Sequence, residues 1–276
     1  MDLEEIRDFL VQLARTAGEM IREKTGKVTW DDKMNSVDLV TETDAAVERM
    51  VKEQLASKYP DFKFMGEETA HGVLTADPTF IVDPIDGTTN FIHRFPSSCI
   101  SLGFAVDKVP VVGVVYNPLL DHMYQGVQGK GAYFNGQKLP LKPPSELSLG
   151  TALIAIEWGS ERSGPNYTCK TQTFANLAAS DGGMVHGFRS MGSAALNLCS
   201  VAAGTLDAYW EGGCWAWDVC AGWAILAETG GAVVHGNPGT DKAAVDSRVY
   251  LAVRAGSNQQ KFIADFKSHI KGSLSY

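Results

Sequence analysis

Between residues 98 and 139 the sequence has room for little but β-strands. Five short apolar-rich stretches, at 98–106, 109–116, 122–127, 131–134 and 137–139, follow one another closely. Asp107-Lys108 and Asn135-Gly136 supply tight turns, and Asn-Gly is a strong hairpin signal because both residues tolerate positive φ. Such a run makes an antiparallel meander, and the apolar face of a meander must be covered by other elements.

The flanking sequence supplies the cover. Residues 3–24 place Ile6, Leu10, Leu13, Ala17 and Ile21 at three- and four-residue steps among Asp, Glu and Arg, the pattern of an amphipathic helix. A second helix is expected after Thr43, whose hydroxyl can cap it, with Val47, Met50, Val51 and Leu55 on one face. It must stop before Pro60, which disfavours helix at Tyr59. Short strands follow at 62–65 and 79–82, each running into acidic residues. A Pro-containing connection at 140–144 separates this part from one that alternates. There, strands at 151–157, 184–189 and 206–211 precede helices near 168–180, 193–203 and 217–229, and strands at 232–235 and 249–255 follow. Ser257-Asn258-Gln259-Gln260 reads as a capping box opening a last helix. The expectation is a mixed α/β (α+β) chain of stacked layers, with a helix/antiparallel-sheet part over about 1–140 and an α/β part over about 145–276. The 276 residues suit one large domain.

Charge and composition remove several function classes. Lys+Arg 24 against Asp+Glu 32 leaves a net charge of −8, which gives a nucleic acid or an anionic membrane little to bind. No run reaches 18 uninterrupted apolar residues, so no transmembrane helix is expected. Met1-Asp2-Leu3-Glu4-Glu5 is the opposite of a targeting peptide, and a cytoplasmic location is expected. Cys99, Cys169, Cys199, Cys214 and Cys220 are odd in number, widely spaced and free of Cys-x-x-Cys pairs, as reduced buried thiols would be. Asn166-Tyr167-Thr168 matches a glycosylation sequon, but without a secretory signal no glycan is expected.

The most informative segment for chemistry is Ile81-Val82-Asp83-Pro84-Ile85-Asp86-Gly87-Thr88-Thr89-Asn90. An apolar strand ends in Asp83, Pro84 keeps that residue extended, and Asp86 follows three positions on. Two carboxylates at one strand mouth repel each other unless a cation sits between them. Hard cations such as Mg²⁺ want oxygen ligands, and the carbonyl of Ile85 is placed to add one. Gly87-Thr88-Thr89 then offers N–H groups and hydroxyls suited to a phosphate oxygen. The blander alternative is a surface Asp-Gly turn. An EF-hand is excluded because Ile85 occupies its second ligand position, and no Gly-x-x-x-x-Gly-Lys loop occurs. The haloacid-dehalogenase signature spaces its aspartates by two, not three. Two further sites add acids: Glu67 or Glu68 closes the preceding strand, and Asp218 stands in the first turn of an apolar helix, where the helix dipole alone would also favour it.

Together Gly66-Glu67-Glu68, Asp83-Pro84-Ile85-Asp86-Gly87-Thr88-Thr89-Asn90 and Trp217-Asp218-Val219-Cys220-Ala221-Gly222 resemble the three signatures of inositol monophosphatases, of the lithium-sensitive, magnesium-dependent phosphatase superfamily. Lys33 with Val37-Asp38-Leu39-Val40-Thr41-Glu42-Thr43-Asp44 resembles the N-terminal segment of that family, and Phe91-Ile92-His93-Arg94-Phe95-Pro96 continues the match. The resemblance covers essentially the whole chain. It implies a layered α-β-α-β-α sandwich of the sugar-phosphatase type and a homodimer. It implies Mg²⁺ ligation by Glu67, Asp83, the Ile85 carbonyl, Asp86 and Asp218, with Asp44 helping to hold a further, weaker ion. By the same resemblance Glu67 and Thr88 orient and activate water, and the Gly87 and Thr88 amides hold phosphate. Asp86, Asp218, Ser160, Ala194 and Glu211 would contact substrate, alongside the Gly192-Ser193 loop.

Residue chemistry agrees on one point independently: Thr88 has no neighbouring His or Lys base in sequence other than His93, so it suits orienting water better than attacking phosphorus. The expected activity is Mg²⁺-dependent hydrolysis of myo-inositol monophosphates. The same chemistry would serve a sugar phosphate, fructose bisphosphate, histidinol phosphate or a 3′-phosphonucleotide. An inactive metal-binding homologue is the alternative of another class.

Overall fold

The structure, a computed structural model, describes residues 1–32, 39–69 and 73–276. Lys33, Val37 and Asp38, part of the N-terminal resemblance, lie outside the described residues. The first helix, α1 (Leu3–Lys24), spans the expected stretch and is capped by Asp2, whose carboxylate accepts the Glu4 and Glu5 N–H groups. Its apolar stripe, Ile6, Leu10, Leu13, Ala17 and Ile21, is buried, and each large aliphatic side chain contributes roughly 1.5–3 kcal/mol by leaving water. A two-stranded ribbon, β1 (Trp30–Asp32) and β2 (Leu39–Thr41), leads to α2 (Glu42–Lys58). Its cap is Thr41, not Thr43 as the sequence suggested. The Thr41 hydroxyl accepts the Thr43 N–H, while Asp44 Oδ2 reaches back to the Thr41 N–H at 2.9 Å and its hydroxyl at 2.5 Å.

A seven-stranded sheet follows in chain order: β3 (Lys63–Gly66), β4 (Thr79–Asp86), β5 (Cys99–Val106), β6 (Val109–Asn117), β7 (His122–Val127), β8 (Gly131–Phe134) and β9 (Gln137–Lys138). Only the first pair is parallel. The two turns read from sequence have both residues at positive φ, as right-handed strand twist favours. A short helix, α3 (Thr88–His93), interrupts the path between β4 and β5.

The second half alternates: β10 (Leu153–Ile156), α4 (Gly164–Ala178), β11 (Gly187–Arg189), α5 (Ala194–Ala203), β12 (Ala208–Gly212), α6 (Ala216–Ala227), β13 (Ala232–His235), β14 (Val249–Val253) and α7 (Gln259–Ser268). The sheet order is β11-β10-β12-β14-β13, with β10 parallel to its two neighbours. Two local expectations fail. Helix α4 begins at Gly164, upstream of the expected start, because Pro165 fits a first helical turn. Helix α7 has no side-chain cap, since Asn258 instead pairs with both backbone groups of Leu147, at 2.8 and 2.7 Å.

Strand alternation assembles five layers. Ile100, Leu102, Phe104, Val112 and Val114 face α1 and α2 on one side of the large sheet. Helices α5 and α6 lie between the two sheets, packed on residues such as Val115, Ala155, Tyr209 and Tyr250. Ile154, Ile156, Trp210, Leu251 and Val253 turn the other way, to α4 and α7. The result is the α-β-α-β-α sandwich. Helix α6 approaches the large sheet unusually closely. Gly103, Gly113 and Gly126 stand side by side on β5, β6 and β7 and form a bare track beneath it. A Cβ on Gly103 would lie 2.6 Å from Cys220 Sγ, and one on Gly126 would lie 2.9 Å from Ile225 Cα. All five cysteines are buried and free, and no helix among the described residues is long and apolar enough to cross a membrane.

Candidate active site

The C-terminal end of β4 makes the first part of the site. Pro84 cannot donate a ladder hydrogen bond, and the pairing of β4 with β5 shifts register between Asp83 and Asp86. Asp83 Oδ1 accepts the Ile85 N–H at 3.0 Å, which closes a tight turn and holds the Asp83 carboxyl beside the strand end. Gly87 then turns the chain into α3 at φ +89, and a Cβ there would lie 2.8 Å from the Ser97 carbonyl. The Thr88 hydroxyl donates to the Ile85 carbonyl at 3.1 Å and lies 3.4 Å from Asp44 Oδ1. The capping box of α2 thereby fixes Asp44 against Thr88. Glu67 continues β3 alongside β4, its N–H donating to the Val82 carbonyl at 3.1 Å.

Helices α5 and α6 bring the second part. Asp86 Oδ2 accepts the Ser193 hydroxyl at 2.6 Å and the Ala195 N–H at 2.8 Å, so it ties β4 to the start of α5. Asp218 accepts the Trp215 N–H at 2.7 Å and caps α6. Both acids face helix N-termini, whose partial positive charge favours them. The 190–192 loop hangs on Glu157, the residue after β10. Its Oε1 accepts the Met191 N–H at 2.6 Å, the Gly192 N–H at 2.9 Å and Asn197 Nδ2 at 2.8 Å, while Oε2 accepts the Ser190 hydroxyl at 2.7 Å. From the other side, Asn90 Nδ2 donates to the Met191 carbonyl at 2.6 Å and to the Ser97 carbonyl at 2.7 Å.

These elements enclose a cavity of about 550 Å³. Glu67, Asp83, Ile85, Asp86, Gly87, Thr88, Ser160, Gly192, Ser193, Ala194, Glu211 and Asp218 all line it. Asp44 does not, and meets the site through Thr88 and the charge of Glu67. Sequence reading gave no role to Glu157 or Asn90, although both stand inside segments it singled out. Tyr276, which also lines the cavity, carried no signal at all.

The electrostatics are those of crowded acids. Burial above all, then the charges of Glu67, Asp86 and Asp218, push the Asp83 carboxyl well above the usual carboxylate range. Burial, then Asp86 and Glu67, do the same to Asp218. Asp86 is pushed up to about 6 by burial, against the stabilising hydrogen bonds from Ser193 and Ala195. Asp44 also stands at about 6, again through burial first. Glu211 rises to about 7 through burial and the nearby Glu157 charge, offset by Lys170. Among the described lining residues Arg162 is the one Arg or Lys, and its guanidinium donates to the Gly159 and Glu161 carbonyls. That guanidinium is therefore committed to backbone carbonyls, while the charges of Lys170 and Arg248 act on Glu211 and Asp218.

Among the described residues, no three His, Cys, Asp or Glu side chains converge into a ready-made metal cluster. The donor set nevertheless fits a hard divalent cation. The Glu67 charge acts on the buried Asp83 carboxyl, together with those of Asp86 and Asp218. Carboxylates crowded together in this way are stabilised by a cation among them. All the candidate donors are oxygens, as Mg²⁺ requires.

Residues 2–271 match the inositol monophosphatase family. The chain belongs to that family. Inositol monophosphatase 2 of Saccharomyces cerevisiae is 51% identical to it over 287 residues, covering 99% of this chain and 98% of the yeast one. The solved IMPase of Thermotoga maritima superposes with a TM-score of 0.81 at 28% identity, over 95% of this chain and 96% of that one. The SaIMPase-II of Staphylococcus aureus, solved with inositol monophosphate bound, gives a TM-score of 0.76 at 28% identity, over 96% of this chain and 95% of that one. As an inositol monophosphatase-family member the chain has the layered fold its sequence implied.

Proposed function

We propose that this chain hydrolyses myo-inositol monophosphates to inositol and phosphate, with Mg²⁺ as cofactor. The observation that carries the reading is the meeting of Glu67, Asp83, Asp86 and Asp218 with Thr88 and Glu211 around one cavity. The staphylococcal relative bound to inositol monophosphate supports the substrate class.

In this reading Glu67, Asp83, the Ile85 carbonyl, Asp86 and Asp218 hold the metal, and Asp44 serves a further ion. Bound magnesium supplies positive charge for the phosphate oxygens and makes water more acidic. The chain's own residues do the positioning. The Thr88 hydroxyl donates to the Ile85 carbonyl, which leaves its oxygen free to accept a hydrogen bond from a water molecule. Glu67 takes the proton that this water loses as its oxygen attacks phosphorus. The ester P–O bond then breaks and the inositol oxygen leaves, taking up a proton from solvent water, while Glu67 returns its proton to solvent. The Gly87 and Thr88 N–H groups hold the phosphate. Glu211, whose carboxyl is bonded by the Tyr209 hydroxyl, accepts hydrogen bonds from ring hydroxyls. Ser160, Gly192, Ser193 and Ala194 line the same cavity.

Phosphate release from inositol 1-phosphate, compared with a panel of sugar, histidinol and nucleoside phosphates, tests the substrate assignment. Turnover that favours another member of the panel would overturn it. Inhibition by lithium, a homodimer and a cytoplasmic location belong to the same reading. Activity retained in tens of millimolar lithium, a monomeric mass by light scattering, or a tagged protein outside the cytoplasm would each contradict its part.

A further inference from the structure

One wall of the cavity comes from a segment that no motif foreshadows. Past α7, two asparagines hold successive residues by both backbone groups. Asn237 accepts the Leu274 N–H at 2.9 Å and donates to its carbonyl at 2.8 Å. Asn166 does the same for Ser275, at 2.9 and 2.8 Å. Each amide imitates a strand neighbour, and the path of the chain is fixed from two sides. The Leu274 side chain is buried in the outer core, which anchors the segment further.

This path delivers the Tyr276 ring onto the bare backbone of Gly212 and Gly213, next to Glu211. A Cβ on Gly212 would lie 2.7 Å from Tyr276 Cε2, and one on Gly213 would lie 3.1 Å from Cε1. Gly213 also sits at φ +105, so the platform exists because both residues are glycine. Two cations flank the ring: Lys170 Nζ lies 5.5 Å and Arg248 Cζ 5.8 Å from its centroid. Both are committed to the wall. Lys170 donates to the Trp158 and Gly212 carbonyls at 3.2 and 2.9 Å. Arg248 donates to the Gly213 and Cys214 carbonyls at 2.9 and 2.8 Å and stacks 3.4 Å from the Trp215 centroid. Tyr276 as a residue is 42% exposed, and it lines the cavity together with Glu211.

We infer that Tyr276 is a specificity-determining residue, an aromatic wall that receives the C–H face of a cyclic polyol while Glu211 reads its hydroxyls. A cyclohexane-type polyol has an apolar C–H surface that a fixed ring covers at little entropic cost, since Tyr has few rotatable bonds. A small acyclic alcohol offers no such face. The inference rests on the polyol-phosphate reading above.

The test compares kcat/KM for myo-inositol 1-phosphate and glycerol 2-phosphate, both with Mg²⁺, in the full chain and in Tyr276→Ala and Tyr276→Phe. The inositol-to-glycerol ratio should fall about tenfold in Tyr276→Ala, through KM for the inositol ester, and hold within about twofold in Tyr276→Phe. An unchanged ratio in Tyr276→Ala, whether both esters suffer equally or neither does, would overturn the inference alone. A fall in Tyr276→Phe as well would assign recognition to the hydroxyl and overturn the ring-face contact. A wild-type chain that hydrolyses neither ester would overturn the functional reading and the inference with it.

Discussion

Asp83 is almost fully buried, hydrogen-bonded by the Ile85 N–H, and surrounded by Glu67, Asp86 and Asp218. A carboxylate so placed works against the fold unless a cation or a proton joins it. Asp83→Asn keeps the acceptor for Ile85 and removes one charge. Activity should drop at least about a hundredfold, because the site loses a ligand. The metal-free protein should melt at the same or a higher temperature, a loss of function without loss of stability. Full activity in this variant would overturn the assignment of the site. The pH dependence follows from the same crowding. Asp44 and Asp86 stand at about 6 and Glu211 at about 7, each raised by burial. A carboxyl whose folded pKa exceeds its unfolded value binds its proton more tightly when folded. Its protonation therefore stabilises the fold as pH falls through that window. Thermal melts in chelator should show the metal-free protein more stable at about pH 5 than at about pH 7, with added Mg²⁺ narrowing the gap from the neutral side. A melting temperature that falls steadily over that range would contradict it.

Helix α6 positions Asp218 by lying on the track of Gly103, Gly113 and Gly126. A Cβ on Gly113 would strike the Ala221 carbonyl. Gly113→Val should destabilise the fold by about 1–3 kcal/mol or more in chemical denaturation, because the helix must move off the sheet. It should reduce activity as well, since Asp218 moves with the helix; a change under about 0.5 kcal/mol would deny the close approach. The 190–192 loop depends in the same way on Glu157. Glu157→Ala leaves the Met191 and Gly192 N–H groups and the Asn197 amide without their acceptor. It should cost about 1–3 kcal/mol and raise KM several-fold; an unchanged KM would show that the loop holds its shape without it. Sequence reading was good at this scale where elements are long. The stripe of α1 and the turns at Asp107-Lys108 and Asn135-Gly136 are local signals, and the structure keeps them. It failed where tertiary partners decide. The six residues of α3 are too few to show a period. The α2 cap moved to Thr41 because Asp44 reaches back to it, and Asn258 left α7 uncapped to pair with Leu147.

For the whole molecule, the order of helices, meander and alternation was enough to imply stacked layers, and the three separated acidic motifs implied a common site. Every expected site residue but Asp44 lines one cavity, because β4 ends there and α5 and α6 begin there. Glu157, Asn90 and Tyr276 stayed silent in the sequence because their partners lie far along the chain: Ser190–Asn197 for Glu157, Met191 for Asn90, and Gly212–Gly213 for Tyr276. The net charge of −8 also takes on a location. At least four of those acids gather at a single mouth, where their charge repels a phosphate unless metal cations join it. Phosphate release from inositol 1-phosphate by the purified chain, first in chelator and then with Mg²⁺ restored, tests that account most directly. The account predicts no release in chelator and full recovery with Mg²⁺, whereas equal release in both conditions would contradict it.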